Sequence, residues 1–587
     1  MTTDDKTIFF DIETNGLLDT VNTFYCAWVY NLHMDKWVSF RDAKALCDYL
    51  SQSFLFGYKV CGHNIINYDI PALQKLNPEF HYKEENIIDT LVLSHLIYSN
   101  IKATDQGLVR AKKLPARLMG RHSLMAWGYR LGELKGTYGQ QEGAWDGYSE
   151  EMLKYCKQDV LVTYKLYEKL TEKPYSKQSI DLEHKIAFVM AQQERDGFDF
   201  DVDKASNLYA VLKERQSELY DSLVKTFGSW EEYKGIKVYK RDNAKRNIKA
   251  GVEYPIYENV TFNPNSQRHV AKVLQERGWK PTEFTPTGVP KVDESTLSEI
   301  KGIPEVELII EYKLVTKRIG QVAEGDNGWL KMYKENPDGK GYAMHGSVNP
   351  NGAVTGRASH SNPNVAQVPS INSPYGAECR ECFKAPEGWY QAGIDASGLE
   401  LRCLAHYLSP FDSGDYGNII LNGDIHTHNQ QVAGLPSRNQ AKTMIYCLLY
   451  GGGDAKLGSV VGGDAREGKK LKEKFFKGIP AYKHLVESLE NSLVASQKWI
   501  GDKNIVRWKR RTYEGRDITH CILGLDGRVI YVRSPHSALN TLLQSAGSIV
   551  CKQWVVQTRE NLLKKYRIGR DGDLFFMAWV HKHHCAH

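Results

Sequence analysis

The stretch Arg438-Asn439-Gln440-Ala441-Lys442-Thr443-Met444-Ile445-Tyr446-Cys447-Leu448-Leu449-Tyr450-Gly451 decides how the rest of the chain is read. Arg438, Lys442, Tyr446 and Tyr450 stand four apart. An α-helix turns every 3.6 residues, so this spacing predicts one helix with the four side chains along a single drifting stripe. The stripe is cationic at one end and aromatic at the other. Guanidinium and ammonium groups can grip a triphosphate, and phenols can stack on a base and its sugar. An ordinary packed helix also carries stripes, so the reading depends on what stands around it.

Upstream, Gly393-Ile394-Asp395-Ala396-Ser397-Gly398-Leu399-Glu400-Leu401-Arg402 reads as an apolar strand that delivers Asp395 and turns into a helix near Leu399. Before it come Thr355-Gly356-Arg357, Pro363-Asn364 and Gln367-Val368-Pro369, and between the two helices lies Asp424-Ile425-His426. Further on stand Arg533-Ser534-Pro535-His536 and Leu539-Asn540 through Gln544-Ser545. In this order the motifs resemble those of the family A DNA polymerases, the bacterial polymerase I type, and in particular the replicative enzymes of short-tailed lytic bacteriophages.

The resemblance implies roles. Asp395 and the adjoining Ala396 would hold two catalytic metals. Glu400 would lie under the sugar of the incoming nucleotide and exclude a 2′-hydroxyl. His426, Arg438, Lys442 and Tyr446 would bind the dNTP, with a tyrosine at Tyr446 implying weak discrimination against dideoxynucleotides. Arg357, Gln367, Tyr450, His536 and Gln544 would contact primer-template DNA, reading backbone and base edges without strong sequence choice.

The N-terminus carries a second constellation. Phe9-Phe10-Asp11-Ile12-Glu13-Thr14 begins in a strand, so Asp11 and Glu13 share a face while Ile12 points to the core. Paired carboxylates suit hard divalent ions. Asp69 follows His63-Asn64, and Tyr155 and Asp159 lie four apart on a predicted helix over 150–170. Four acids and a phenol in this order resemble the DEDDy exonucleases. There, two metals activate water and stabilise the leaving oxygen. Asp11, Glu13, Asp69 and Asp159 would be metal ligands, and Tyr155 would position the attacking water.

The implied architecture is an α/β ribonuclease H-like exonuclease domain followed by an α+β right-hand polymerase. The expected boundaries are 1–175 for the exonuclease and 176–345 for a thumb with a short basic insertion near 228–261. Residues 346–425 would form the first palm part, 426–515 the fingers and 516–587 the second palm part. The expected cofactor is Mg2+, two ions per active site, with Mn2+ as an alternative. Expected partners are primer-template DNA, single-stranded DNA, dNTPs and a phage helicase-primase. A thioredoxin clamp is doubtful, because the thumb insertion is short.

Composition agrees without deciding. The 587 residues suggest roughly four domains. A net charge of +6, from 76 basic and 70 acidic residues, is too mild to identify a partner. Its arrangement says more. Lys234 to Lys249 holds seven basic residues against Asp242 and reads as an exposed basic loop suited to phosphates or an acidic partner. Lys469, Lys470, Lys472, Lys474 and Lys477, with Arg507, Lys509, Arg510 and Arg511, could line a template path. Cys379 and Cys382 form a C-x-x-C without a second pair, so buried thiols are expected. No apolar run reaches membrane length and the N-terminus is not a signal segment, which points to the cytoplasm of an infected host.

The last residues depart from the family. Asp573 to Val580 reads as the strand before the third polymerase motif, yet His581-Lys582-His583 stands where the family has His-Asp-Glu. The expectation is a truncated motif, from a frameshift, a read-through or a split gene. In that case the chain alone would be a DNA-binding exonuclease or half of a split polymerase.

Overall fold

The computed structural model describes residues 6–172, 174–494, 497–500, 505–508, 512–513, 516–517 and 520–568. They form two compact units. One comprises 1–196, 348–360 and 393–587, the other 197–347 and 361–392.

The first unit opens with a mixed five-stranded sheet, β1 (Thr7–Thr14), β2 (Phe24–Asn31), β3 (Lys36–Phe40), β4 (Lys59–Gly62) and β5 (Ile87–Asp89), in the order β3-β2-β1-β4-β5. The pairs β1–β2 and β2–β3 are antiparallel, and β1–β4 and β4–β5 are parallel. The strand period of two divides β1. Ile8, Phe10 and Ile12 enter one core with Val29, Leu46, Ile70 and Leu73. Phe9 enters the core on the other face with Val160, Leu166 and Tyr167. Asp11 and Glu13 share the face of Phe9 and so look towards the Glu150–Thr171 helix.

That helix starts where Ser149 accepts from the Met152 amide, with Glu150 and Glu151 in the first turn where the helix dipole favours anions. Its buried stripe runs Met152, Cys156, Asp159, Val160, Thr163, Leu166, Tyr167 and Leu170. An acid set in an otherwise packed stripe is costly unless it has a partner. The Lys177–Asp196 helix follows.

The second unit contains the Val202–Phe227 and Glu305–Ile319 helices, whose apolar faces meet through Leu208, Leu212, Leu219, Ile309, Tyr312 and Val315. Of the basic stretch expected as an exposed loop, 239–249 lies in the connection of a β-hairpin, and Lys234 and Lys237 stand on its first strand, which corrects that part of the reading. Strands β7 (Ser229–Val238) and β8 (Glu253–Thr261) pair antiparallel, after a short β6 (Phe198–Phe200). The cause is residue type. Trp230, Tyr233, Ile236 and Val238 face Val260, Tyr257, Pro255 and Glu253 in register, and aromatic and β-branched residues favour strands. Only 239–252 lies between the strands. Cys379 and Cys382 are buried thiols, pushed up by burial to about 11 and about 12.

The remainder of the first unit is mainly helical: Leu399–Asp412, Ile425–Ala433, Arg438–Leu449, Ala465–Gly478 and Ala538–Leu563. Leu404, Leu408, Met444, Ile445, Leu448, Phe475, Leu543 and Ala546 share its core. The helix expected near Leu399 forms. The strand expected to deliver Asp395 does not: 390–396 is extended chain outside any strand, with Tyr390 98% and Ile394 77% exposed. A strand needs a neighbour for its amides and carbonyls. None of the described residues pairs with 393–395. Asp573–Val580 and His581-Lys582-His583, read above as the approach to the third motif, lie outside the described residues, as do Lys509, Arg510 and Arg511.

Candidate active site

The N-terminal carboxylates converge as their spacing predicts. Ligand atoms of Asp11, Glu13 and Cys156 lie within 4.8 Å of one another. Asp69 opens the Asp69–Leu76 helix, and its Oδ1 accepts from the Ile12 amide at 3.3 Å. Asp159 joins from the Glu150 helix, 2% exposed.

Crowded burial shows in the proton affinities. Burial, then the charges of Asp69, Glu13 and Asp159, push Asp11 far above the usual carboxylate range. Burial, then Asp159, pushes Glu13 up to about 9. Burial pushes Asp69 up to about 7 and Asp159 up to about 6. Glu13 Oε1 and Asp159 Oδ1 are buried without a hydrogen-bond partner. Hard oxygens in surplus, some of them unsatisfied, are what a divalent cation fits. Tyr155 packs against Tyr138 and Trp145 at centroid distances of 5.7 and 6.4 Å. Burial and Asp159 push its phenol up to about 12, so it stays protonated.

Two residues of this site were not singled out from the sequence. Asp89 caps the Thr90–Ile97 helix and accepts from the amides of Asn64 (2.8 Å), Ile66 (3.2 Å) and Leu91 (2.8 Å). It thereby pins the loop that leads to Asp69. Lys135 reaches Asp159 Oδ2 at 2.5 Å. An acid before a helix start was a signal for Asp89; Lys135 sits in an unremarkable Gly-Glu-Leu-Lys-Gly segment.

The second constellation is built on the Arg438–Leu449 helix, which starts where Ser437 accepts from the Gln440 amide. Tyr446 and Tyr450 stack at 6.2 Å and 19°, and His426 lies 6.3 Å from Tyr446. The basic end is engaged within the protein. Arg438 Nε and Nη2 donate to Asp424 at 2.5 and 3.1 Å, and Asp424 also accepts from the His426 amide at 3.0 Å. Asp424, which no sequence motif singles out, caps the Ile425–Ala433 helix and holds Arg438. Burial, then Arg438, lowers the pKa of His426.

Asp395, Glu400 and Arg357 all act electrostatically on the Cys551 thiol, which burial chiefly raises to about 11. The charge of Glu400 also reaches Tyr446. Asp395 is exposed and Ala396 half-buried beside it. Arg357 is 7% exposed. Gly356 beside it has φ 80°, and its carbonyl accepts from Ser548 Oγ at 2.7 Å. His536 is exposed and 3.4 Å from Glu490. Gln544 donates to Asn540 at 2.7 Å. Gln367 belongs to the second unit, where its carbonyl accepts from Gln321 at 2.9 Å. Lys442 is exposed, as are Lys469, Lys470, Lys474 and Lys477, with Lys472 half-buried.

A ribonuclease H-like sheet bearing a carboxylate nest, followed by a helical body bearing a cationic-aromatic helix, defines a nuclease-polymerase architecture. The chain belongs to DNA polymerase family A, whose profile matches residues 239–581, and the RNase_H superfamily profile matches residues 8–171. The chain is 45% identical to the DNA-directed DNA polymerase of Escherichia phage T7, covering 98% of this chain and 93% of that protein. It is 44% identical to that of Enterobacteria phage T3, covering 97% and 92%. Among solved structures it resembles the POL domain of Pol1 from M. smegmatis in complex with DNA primer-template and dNTP. The TM-score is 0.66 at 16% identity, over 95% of this chain and 87% of that one, a likeness of fold.

Proposed function

We propose a division of labour between two sites in this DNA-directed DNA polymerase with a 3′→5′ exonuclease domain. One adds dNTPs to a primer 3′ end under template direction, the other removes a terminal nucleotide, in phage DNA replication. Asp11, Glu13, Asp69 and Asp159 would hold two Mg2+ ions, or Mn2+ in their place, at the exonuclease site. Bound there, the metals supply a nucleophilic water and charge neutralisation at the leaving oxygen. Tyr155, kept protonated, orients that water through its hydroxyl. The unsatisfied Glu13 Oε1 and Asp159 Oδ1 support this assignment.

At the polymerase site Asp395 and Ala396 would hold the metals. Arg438, Lys442 and His426 receive the triphosphate, Tyr446 stacks on the base and sugar, and Glu400 excludes a 2′-hydroxyl. Arg438 exchanges its bond to Asp424 for phosphate oxygens. Arg357, Gln367, Tyr450, His536 and Gln544 meet primer-template DNA, and the lysines of the Ala465–Gly478 helix follow the template strand. The five-part division into exonuclease (1–175), thumb (176–345), palm (346–425), fingers (426–515) and second palm part (516–587) completes this reading. A helicase-primase is the replication partner, in the host cytoplasm. The short β7–β8 hairpin favours operation without a thioredoxin clamp.

The carrying observation is that the carboxylate nest and the Arg438 helix coexist in one family A chain. A labelled primer-template with Mg2+ tests it. Shortening without dNTPs and extension with them are expected. Asp11→Ala with Glu13→Ala should lower shortening at least a thousandfold and spare extension. Shortening that survives the double variant, or failure to extend, would overturn the corresponding half.

A further inference from the structure

Lys135 lies inside the carboxylate nest. It follows the Leu124–Leu131 helix, which ends at left-handed Gly132 with φ 73°. Its Nζ lies 2.5 Å from Asp159 Oδ2, with the two side chains 20% and 3% exposed, and 4.7 Å from the centre of the Tyr155 ring. An ammonium in such a place loses much of its hydration, at a cost of several kcal/mol, and persists only where negative charge outweighs the loss. Here it does. Asp159 Oδ2 in direct contact and the face of the Tyr155 ring supply it.

The backbone before Lys135 is anchored. Gln158 Nε2, next to Asp159 in sequence, donates to Glu133 Oε1 at 2.9 Å and to the Leu134 carbonyl at 3.0 Å. The ammonium therefore approaches or leaves Asp159 by rotation of its own four-carbon stem. The lysine satisfies one oxygen of the nest, while Asp159 Oδ1 and Glu13 Oε1 stay bare.

We propose that Lys135 is a resident counter-cation of the exonuclease site. Its ammonium occupies the place beside Asp159 Oδ2 that a divalent ion needs, so full metal loading requires the lysine to withdraw. The two cations compete for one carboxylate oxygen. This rests on the exonuclease reading above.

The test is Mn2+ binding to the full-length chain without DNA, followed by electron paramagnetic resonance of free Mn2+. The Asp11→Ala, Glu13→Ala variant identifies which binding belongs to the nest. Lys135→Gln should tighten that class at least tenfold, while Lys135→Arg, which keeps the charge, should stay near wild type. Thermal unfolding gives a second readout. Without metal, Lys135→Gln should melt below wild type; with saturating Mn2+ the gap should close. Unchanged or weaker Mn2+ binding in Lys135→Gln, or an equal melting loss with and without metal, would overturn the proposal. If wild type shows nest-dependent Mn2+ binding and shortens primers, such a result sinks Lys135's role alone. If wild type shows no nest-dependent binding, the proposal and the metal assignment fall together.

Discussion

Lys552 Nζ donates to Glu183 Oε1 over 2.6 Å, although 369 residues separate the two in the chain. Both are fully buried. Arg528 Nη2 reaches the same Glu183 oxygen at 2.7 Å and Asp526 Oδ2 at 2.7 Å. Two cations and two acids thus close a buried quartet joining the Lys177–Asp196 helix, the Ala538–Leu563 helix and the turn at Asp526. Gly356 stands over it: a Cβ there would meet Arg528 Nη1 at 2.5 Å.

Removing one member of a buried pair costs more than the pair ever contributed, because the partner stays charged and dry. Arg528→Met should therefore cost about 3–5 kcal/mol. Lys552→Met leaves Glu183 with Arg528 and should cost under ~2 kcal/mol by the same reasoning. Burial lowers Lys552 to about 8, below its ordinary 10.5. Between these values the unfolded chain holds the extra proton, so the Lys552 contribution to stability rises with pH, by at most ~1.4 kcal/mol per unit. Denaturant unfolding of wild type and Lys552→Met from pH 7 to 10 checks both. Equal costs for the two variants, or parallel pH curves, would contradict this account.

A histidine pair beside the sheet gives a slope of the same sign in a lower pH range. The rings of His95 and His122 stack at 3.9 Å. Burial lowers them to about 4 and about 2. Both are neutral in the folded protein at pH 6.5, while the unfolded chain takes up protons below it. Their share of stability is intact above pH 6.5 and is lost as pH falls towards 4, at about 1.4 kcal/mol per unit for each histidine. His122→Phe should flatten the acid limb of the stability curve by about one proton. An unchanged limb would mean that His122 is not kept neutral.

The charge of Glu400 reaches the Tyr446 phenol, and both residues are assigned to the nucleotide sugar. Tyr446→Phe deletes the phenol and keeps the ring. Dideoxynucleotide incorporation should fall relative to dNTP incorporation by roughly tenfold or more, the scale of one lost polar contact at a discriminating site. Competition between a dNTP and its dideoxy analogue on one primer measures the ratio, and a constant ratio would remove Tyr446 from that role.

Local pattern explains what the sequence disclosed. Asp11 and Glu13 were legible because a strand has a period of two, and Tyr155, Asp159 and the Arg438 stripe because a helix has one of 3.6. Lys135 was not, because its meaning comes from Asp159, reached only through tertiary folding. Glu183, Arg528 and Lys552 were hidden for the same reason, each looking like an ordinary surface charge. The hairpin strands were obscured by counting lysines, where the strand-favouring residue types of Trp230, Tyr233, Ile236 and Val238 carried the structural signal. The strand before Asp395 failed as a reading because strand formation depends on a partner, and apolar residues alone do not provide one.

The quartet bears on how such genes can be reshuffled. A crossover between 183 and 526 would pair one lineage's acid with another lineage's cations, and a neutral residue at 183 would leave Lys552 a bare ion in an oily interior. Glu183, Asp526, Arg528 and Lys552 should therefore travel together when such genes recombine. Grafting a foreign proofreading half onto this polymerase calls for carrying all four positions across together.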